Sequence, residues 1–342
     1  MKKVLSVLFL SSYLIGFGQA QTLINENYNT LTNGNLATDP TGATAGQSGW
    51  YIYQGAASDY QVTTIDASHG KSINLTTGAG APPSTGANTN NRYAYKGITT
   101  TATAANNLVM AQMEIYTGSA TGKGRVGLQL YSSAAQIGGI VYDYETKKIY
   151  GQARVTVVAT PTQTGILNLG LGAEVFPANT WVTVRYIYNK TTGAHSFIYT
   201  NGTTSASYSF TGNTTYSIFT GDVASEFDAV NTTLATNTVA NTAGVDNVNV
   251  QFTNQALLGV DDIGKPKNAQ VLLAIYPNPT TDVINIKSED KIKKVHVTDL
   301  SGKNIDVKLN GNIVDVRHLS VGTYFISVET INGLVTEKFI KK

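Results

Sequence analysis

The chain of 342 residues contains 24 lysines and arginines against 22 acids, carries a net charge of +2, and has no cysteine. With so few cations spread over its length it cannot build a strongly basic face, so we expect no nucleic-acid partner. The lack of cysteine excludes disulfides, thiolate metal sites and a lipid anchor on cysteine.

The N-terminal residues have the three parts of a signal peptide. Lys2 and Lys3 form a positive start, residues 4–17 are mostly apolar, and Gly18-Gln19-Ala20 fits a small-x-small cleavage site. We therefore expect residues 1–20 to be removed. No later segment approaches the roughly eighteen apolar residues of a membrane helix, which predicts no membrane span in the mature protein.

Residues 21–254 consist of short segments in which apolar and polar residues alternate, separated by turns rich in Gly and Asn. The clearest segments are Leu108–Tyr116, Arg125–Tyr131, Ile137–Tyr144, Ile149–Val158, Trp181–Tyr188, His195–Tyr199, Ser205–Phe210 and Gly244–Phe252. This pattern predicts an all-β sandwich. Residues 212–243 are rich in Thr and Asn, and we expect a long loop or irregular strands there.

The order of these features resembles a concanavalin-A-like or laminin-G-like jelly roll. A strand led by Trp181 is followed by the turn at Lys190-Thr191-Thr192-Gly193 and by an aromatic return strand, and the region closes on Val245-Asp246-Asn247-Val248. The resemblance implies a lectin-like jelly-roll β-sandwich over residues 21–254. Residues 255–274 mix Gly, Asp and Lys with Pro266, which is typical of a linker.

Residues 275–342 form a second strand-rich module. The alternating segments are Val283–Lys287, Lys293–Thr298, Ile305–Leu309, Ile313–Val316, Thr323–Glu329 and Leu334–Ile340. Asn310-Gly311 and Asn332-Gly333 are tight-turn signals between them. The pattern predicts a small β-sandwich.

Three motifs of this module resemble the C-terminal sorting domain of type IX secretion cargo. They are centred on Tyr276-Pro277-Asn278-Pro279, on Asp299-Leu300-Ser301-Gly302-Lys303, and on Gly322-Thr323-Tyr324 with Lys338 near the end. The resemblance implies an immunoglobulin-like sandwich, and as partners the outer-membrane secretion machinery and a sortase-like processing enzyme. It also implies a protein secreted from, or attached to the outer surface of, a Gram-negative bacterium.

Few residues suggest catalysis. Asp143 and Glu145 alternate on one predicted strand, as paired carboxylates for glycoside cleavage would, but they adjoin a turn and no third acid follows. Glu114 is a single acid in an apolar strand without a partner in sequence. His195 fits an ordinary strand histidine and His69 a turn residue. We therefore assign no catalytic residue, and the sequence favours a protein that is not an enzyme.

The residues that could hold a metal are Asp246 and Asn247, on the closing strand. Related jelly rolls sometimes hold a structural calcium ion at this position, and the alternative is that Asp246 caps a turn. No other cofactor is expected.

Sugar binding has more support, because a sugar ring packs on an aromatic face and its hydroxyls need polar partners. Tyr93, Tyr95, Trp50 and Tyr53 lie in segments with many turns, and alternation places Tyr93 and Tyr95 on one face. We therefore expect an extracellular, non-enzymatic protein that binds a polysaccharide or surface glycan or acts in adhesion. The alternatives are a polysaccharide hydrolase or lyase on the same fold, and a structural surface protein without a specific ligand.

Overall fold

The computed structural model describes residues 20–158, 162–202, 204–254, 273–288, 291–299, 304–330 and 334–342. The chain divides into two compact units, residues 1–265 and residues 266–342. The signal peptide over 1–20 and the linker over 255–274 lie almost wholly outside the described residues, so both stay predictions.

The larger unit is built almost entirely from strands. In chain order they are β1 (Gln21–Glu26), β2 (Gly34–Asn35), β3 (Tyr51–Tyr53), β4 (Tyr60–Thr64), β5 (Lys71–Thr76), β6 (Arg92–Gly97), β7 (Leu108–Tyr116), β8 (Gly124–Tyr131), β9 (Gln136–Asp143), β10 (Lys148–Val157), β11 (Gln163–Gly170), β12 (Trp181–Asn189), β13 (His195–Asn201), β14 (Thr204–Phe210), β15 (Tyr216–Ile218), β16 (Glu226–Thr233) and β17 (Thr242–Thr253). The described helical structure is limited to the 3₁₀ turns Gln47–Gly49 and Ala57–Asp59, and no helix in the described part of the chain is long and apolar enough to cross a membrane.

These strands form two antiparallel sheets. The first has nine strands in the order β14-β13-β12-β7-β17-β5-β4-β2, with β1 also paired to β17. The second has eight strands in the order β11-β10-β9-β8-β16-β6-β3, with β15 also paired to β10. Both sheets contribute to one apolar core, with Val109 and Ile115 from the first and Leu128 and Ile140 from the second. The unit is a jelly-roll β-sandwich, which confirms the predicted fold class.

Strand β17 joins several parts of the first sheet. Residues 242–245 pair with β5, residues 248–252 pair with β1, and β7 lies along the other edge. The pairing with β7 shifts between Asp246 and Asn249, and Asn247 has a positive φ of 48°. This β-bulge separates the two halves of the strand.

The expectation of a loop or irregular strands over residues 212–243 is wrong for residues 226–233. These residues form β16, a regular strand that pairs with β6 on one side and β8 on the other. Its Thr, Asn and acidic residues made it look like a loop, but Phe227, Ala229 and Asn231 are completely buried. Burial in the middle of a sheet decides the structure of this segment.

The smaller unit is a sandwich of two four-stranded sheets. Its strands are β18 (Leu273–Tyr276), β19 (Val283–Ser288), β20 (Ile292–Asp299), β21 (Asn304–Ile305), β22 (Lys308–Asn310), β23 (Ile313–Asp315), β24 (Gly322–Thr330) and β25 (Leu334–Lys341). One sheet has the order β18-β19-β23-β22 and the other β21-β20-β24-β25. Ile284 and Val314 of the first meet Val297, Ile326 and Phe339 of the second in a separate core. The predicted strand Ile305–Leu309 is divided into β21 and β22.

Candidate functional site

A cleft of about 400 Å³ lies on the second sheet, on the face that points away from the first. It is lined by Thr41, Tyr53, Gln54, Tyr93, Tyr95, Tyr131, Glu226 and Asp228. Side chains alternate between the two faces of a strand. Ala94 on β6 and Phe227 on β16 are therefore buried in the core, while their neighbours in sequence face the cleft.

Tyrosine rings form the walls of the cleft. Tyr53 and Tyr93 are cross-strand neighbours with ring centroids 6.2 Å apart, and Tyr53 is 45% exposed. Tyr51 and Tyr95 are the next pair along the same strands, stacked with centroids 5.3 Å apart. Such rings offer an apolar face and a polar edge to a ligand.

Hydrogen bonds hold the tyrosines in place. The buried Tyr60 hydroxyl donates to the carbonyl oxygens of Tyr53 and Gln54, and it accepts a bond from the amide of Tyr93 at 3.1 Å. The Tyr95 hydroxyl donates to the carbonyl of Gly42 at 2.9 Å. The backbone at Tyr53 and Tyr93 and the ring of Tyr95 are therefore held in place before any ligand arrives, which limits the entropy lost on binding.

The turn after β3 has a strained backbone. Gln54 and Gly55 both have a φ of 70°, a conformation that costs energy in a residue with a side chain such as Gln54. A Cβ on Gly55 would lie 2.2 Å from Nε of Arg92, so only glycine fits there. The side-chain oxygen Oε1 of Gln54 is buried and has no hydrogen-bond partner in the described structure.

Two acids lie side by side in the cleft. Glu226 and Asp228 occupy alternate positions of β16, and Asp228 is opposite Tyr95 on one neighbouring strand and Gln129 on the other. Asp228 is only 5% exposed, and its Oδ1 is buried with no hydrogen-bond partner among the described residues. Burial raises the pKa of the Asp228 carboxyl well above its usual range, and the adjacent Glu226 raises it further. Burial also raises the pKa of Glu226.

A row of polar residues continues across the sheet from Asp228. Register places these residues side by side on successive strands: Asp228, Gln129, Gly139, Gln152 and Asn168. Gln129 donates to Gln152 at 2.8 Å across the position of Gly139, and Gln152 donates to Asn168 at 3.1 Å. Tyr131 donates to Gln129 at 2.9 Å, which connects the row to the cleft.

The structure brings together three of the four residues predicted to bind ligand. Tyr53, Tyr93 and Tyr95 all line the cleft. The prediction is wrong for Trp50, which is completely buried and packs between Tyr28 and Phe227 in the core. Trp50 precedes β3 and faces inward, where a large ring fills the space between the sheets.

The two cleft acids were missed by the sequence analysis. The signal was present as Glu226-Phe227-Asp228, in which two acids are separated by one apolar residue. The weak candidates Asp143 and Glu145 lie elsewhere. Asp143 accepts bonds from Arg125 Nε at 2.9 Å and from the amides of its own turn, and exposed Glu145 pairs with Lys123 at 2.9 Å.

Glu114, which has no partner nearby in sequence, has partners in the structure. It lies on the outer face of the first sheet, 3.4 Å from Nε2 of His69, and it accepts a bond from Asn247 at 2.8 Å. His69 stacks on Trp181 at 3.9 Å between centroids. These contacts are remote in sequence, so the chain order gave no sign of them.

His195 is buried inside the sandwich. Its Nδ1 is 2.7 Å from the Tyr186 hydroxyl, and burial lowers its pKa to about 4. It is therefore a neutral core histidine at physiological pH, outside the cleft.

Asp246 and Asn247 sit at the bulge of β17. Asp246 is completely buried, its Oδ1 accepts the Asn247 amide at 2.7 Å, and its Oδ2 accepts the Ser72 hydroxyl at 3.3 Å. Both oxygens are thus engaged within the fold, whereas calcium needs six to eight oxygens. In the described part of the chain no cluster of three or more His, Asp or Glu residues could hold a metal ion. Structural calcium at this position stays a prediction.

The sorting motifs contribute to the smaller sandwich. Tyr324 stacks on Phe339 at 5.5 Å and donates to the carbonyl of Ser320, and Asn278 accepts the Ile340 amide at 3.0 Å. Tyr276 ends β18, Pro277 and Pro279 lie in the following turn, Asp299 ends β20, Gly322 begins β24, and Lys338 lies in β25. Gly302 and Lys303 lie outside the described residues.

Residues 274–342 match the family model described as "Secretion system C-terminal sorting domain". The match confirms the resemblance of the smaller unit to a type IX sorting domain. The protein is thus a secreted or cell-surface protein, and this domain directs it to the secretion machinery. The sequence has no match among curated proteins.

Several solved structures are similar to the chain at low sequence identity. An alginate lyase, vAL-1 from a Chlorella virus, is 12% identical over 65% of this chain and 99% of its own, with a TM-score of 0.40. Glycoside hydrolase family 131 catalytic domains from Coprinopsis cinerea and Podospora anserina are 12% identical over 67% of this chain and 94% and 95% of their own, with TM-scores of 0.41 and 0.42. At these values the similarity says nothing about the activity of this chain.

Proposed function

We propose that the larger domain binds a polysaccharide or surface glycan in the tyrosine-lined cleft, outside the cell. The observation that carries the proposal is the pair of unsatisfied oxygens, Gln54 Oε1 and Asp228 Oδ1, among the tyrosine rings. A buried polar atom without a partner is costly, and a bound hydroxyl would remove that cost. A sugar offers both features at once, because its ring stacks on an aromatic face and its hydroxyls form hydrogen bonds.

The first test is a glycan array probed with the purified full chain, followed by calorimetry on the glycans that bind. Tyr93→Ala and Tyr95→Ala should each weaken binding about tenfold or more, since a well-packed aromatic side chain contributes about 1.5 kcal/mol or more to a contact. Tyr116→Ala is the matched control, because Tyr116 is a half-buried tyrosine of β7 on the first sheet. Folded protein that binds no glycan, or binding equally sensitive to Tyr116, would refute the proposal.

A second candidate function is cleavage of the bound glycan. Glycoside hydrolysis uses two carboxyl groups, one of which must hold its proton near neutral pH. Glu226 and Asp228 are adjacent carboxyl groups in the cleft, and the raised pKa of Asp228 suits a proton donor. The assay is release of reducing ends from a glycan that binds. Asp228→Asn and Glu226→Gln should abolish release, whereas Glu145→Gln should not; equal activity in all three variants would exclude this role.

A further inference from the structure

The acidic lining of the cleft restricts the charge of the ligands that it can bind. Its lining includes two carboxyl groups, Glu226 and Asp228, and none of the described lining residues is a lysine, arginine or histidine. The two acids lie close enough to perturb one another. A negative charge brought into a partly buried site of this kind meets stronger repulsion than it would on an exposed surface.

Two arginines of the same sheet, Arg92 on β6 and Arg125 on β8, are already engaged in ion pairs. Arg92, next to Tyr93 on β6, pairs with Asp59 at 2.8 Å and donates to the carbonyls of Thr89 and Asn91. At the far end of the polar row Arg125 pairs with Asp143 at 2.9 Å. Both pairs are largely buried, so neither guanidinium is available to neutralise an acidic ligand.

The cleft oxygens that lack a hydrogen-bond partner also favour an uncharged ligand. Gln54 Oε1 can only accept a hydrogen bond, and Glu226 in its ionised form can only accept one as well. A sugar hydroxyl can donate to these oxygens. A carboxylate or a sulfate ester brings only further acceptors, which would leave them without a partner.

We infer that the cleft takes an uncharged glycan and rejects chains that carry uronic acids or sulfate at the bound position, with Glu226 as the residue that sets this specificity. The inference rests on the proposed glycan-binding function. It deepens that proposal by naming the chemical class of the ligand.

The test compares glycans that differ only in charge. Oligosaccharides of β-1,4-mannan and β-1,4-mannuronan share a backbone, and so do cello-oligosaccharides and their forms oxidised at the primary hydroxyl. Binding of the full chain to each is measured by calorimetry at low salt. We expect the neutral member of a pair to bind about tenfold or more tightly than the acidic one, because repulsion of a nearby like charge is of that order. Added salt should strengthen binding of the acidic member and leave the neutral one unchanged.

Glu226→Gln should raise the affinity for the acidic member and so reduce the difference between the two. Glu145→Gln is the matched control, because it makes the same change in net charge at an exposed site; it should leave the difference unchanged. If Glu226→Gln fails to fold, the salt dependence of glycan binding by the native chain still tests the inference.

Two results would overturn the inference in different ways. Equal or tighter binding of the acidic member, still weakened by Tyr95→Ala, would refute the specificity and leave glycan binding intact. Absence of binding by folded protein to every member and to every glycan of the array would remove the proposed function together with this inference.

Discussion

Because Asp246 is buried at the bulge of β17, we expect it to make the larger domain more stable near pH 4 than above pH 6. Burial raises the pKa of its carboxyl from 3.8 to about 6, and the nearby Glu114 adds to this while the Asn247 amide, Ser72 and His69 oppose it. A carboxyl with a raised pKa binds its proton more tightly in the folded state than in the unfolded state. It therefore lowers the free energy of unfolding as the pH rises from about 4 to about 6.

The size of this effect follows from the shift. The shift is about two pKa units, and each unit corresponds to about 1.4 kcal/mol. Ionised Asp246 thus costs about 3 kcal/mol above pH 6. Asp246→Asn removes the charge, and the new side chain can still accept the Asn247 amide and donate to Ser72. Between pH 4 and pH 7.5 the free energy of unfolding of this variant, measured relative to that of the native chain, should rise by about 3 kcal/mol.

The assay is urea unfolding of both proteins at several pH values between 4 and 8. Trp50 and Trp181, the two tryptophans of the chain, both lie in the larger unit, so their fluorescence follows that domain. Asp39→Asn is the control, because a hydrogen bond from Thr41 lowers the pKa of the partly exposed Asp39, so its ionisation changes only below pH 4. The difference between this variant and the native protein should stay constant between pH 4 and 8. A difference between native and Asp246→Asn protein that is constant with pH, or that grows on acidification, would refute the reasoning.

Four further outcomes are expected. Tyr60→Phe should weaken glycan binding and lower the free energy of unfolding by about 1–3 kcal/mol, because its hydroxyl fixes the turn after β3 to β6. Gly42→Ala should weaken binding measured by calorimetry, because Gly42 has a φ of 78° and a Cβ there would lie 2.4 Å from the Tyr95 hydroxyl. His195→Gln should resist acid better than the native chain in urea unfolding, because burial lowers the pKa of His195 to about 4 and the native protein loses stability as the pH falls from 6.5 towards 4. Removal of residues 274–342 should retain the protein inside the cell, as seen by immunoblotting of cell fractions.

Each of these outcomes has a control or a contrary result. Tyr142→Phe removes a buried hydroxyl that donates to the Phe176 carbonyl, so it should cost similar stability without changing glycan binding. Gly86→Ala changes a glycine with a φ of 85° and open space around it, and should leave binding unchanged. An acid profile of His195→Gln identical to that of the native chain would contradict the histidine prediction. Shortened protein in the medium would contradict the sorting prediction.

Much of the strand pattern was readable from sequence because alternation is local. Leu108–Tyr116 was predicted as a strand and is β7 with the same bounds. The alternation does not say which face is the core. Trp50 and Tyr53 were both predicted to bind ligand, although Trp50 is buried and only Tyr53 reaches the cleft.

The candidate site could be predicted only in part, because its residues come from distant segments. Tyr93 and Tyr95 were found through their spacing. Glu226 and Asp228 were missed because their segment is rich in Thr and Asn. Their importance depends on register, which places Asp228 opposite Tyr95 and Gln129, and Glu226 opposite Tyr131. That register is set by strands far apart in the chain, which local propensity does not encode.

The division of β17 between β1 and β5 has a consequence for the order in which the chain folds. Gln21 pairs with Phe252, so the first strand of the domain finds its neighbour only after the last strand has been synthesised. Sheets closed by contacts so remote in sequence fold slowly, because the chain must first lose the entropy of a very long loop. A ribosome-bound fragment would lack the strand that joins the two halves of the first sheet. The topology thereby delays completion of the domain until β17 is available to pair with β1, β5 and β7.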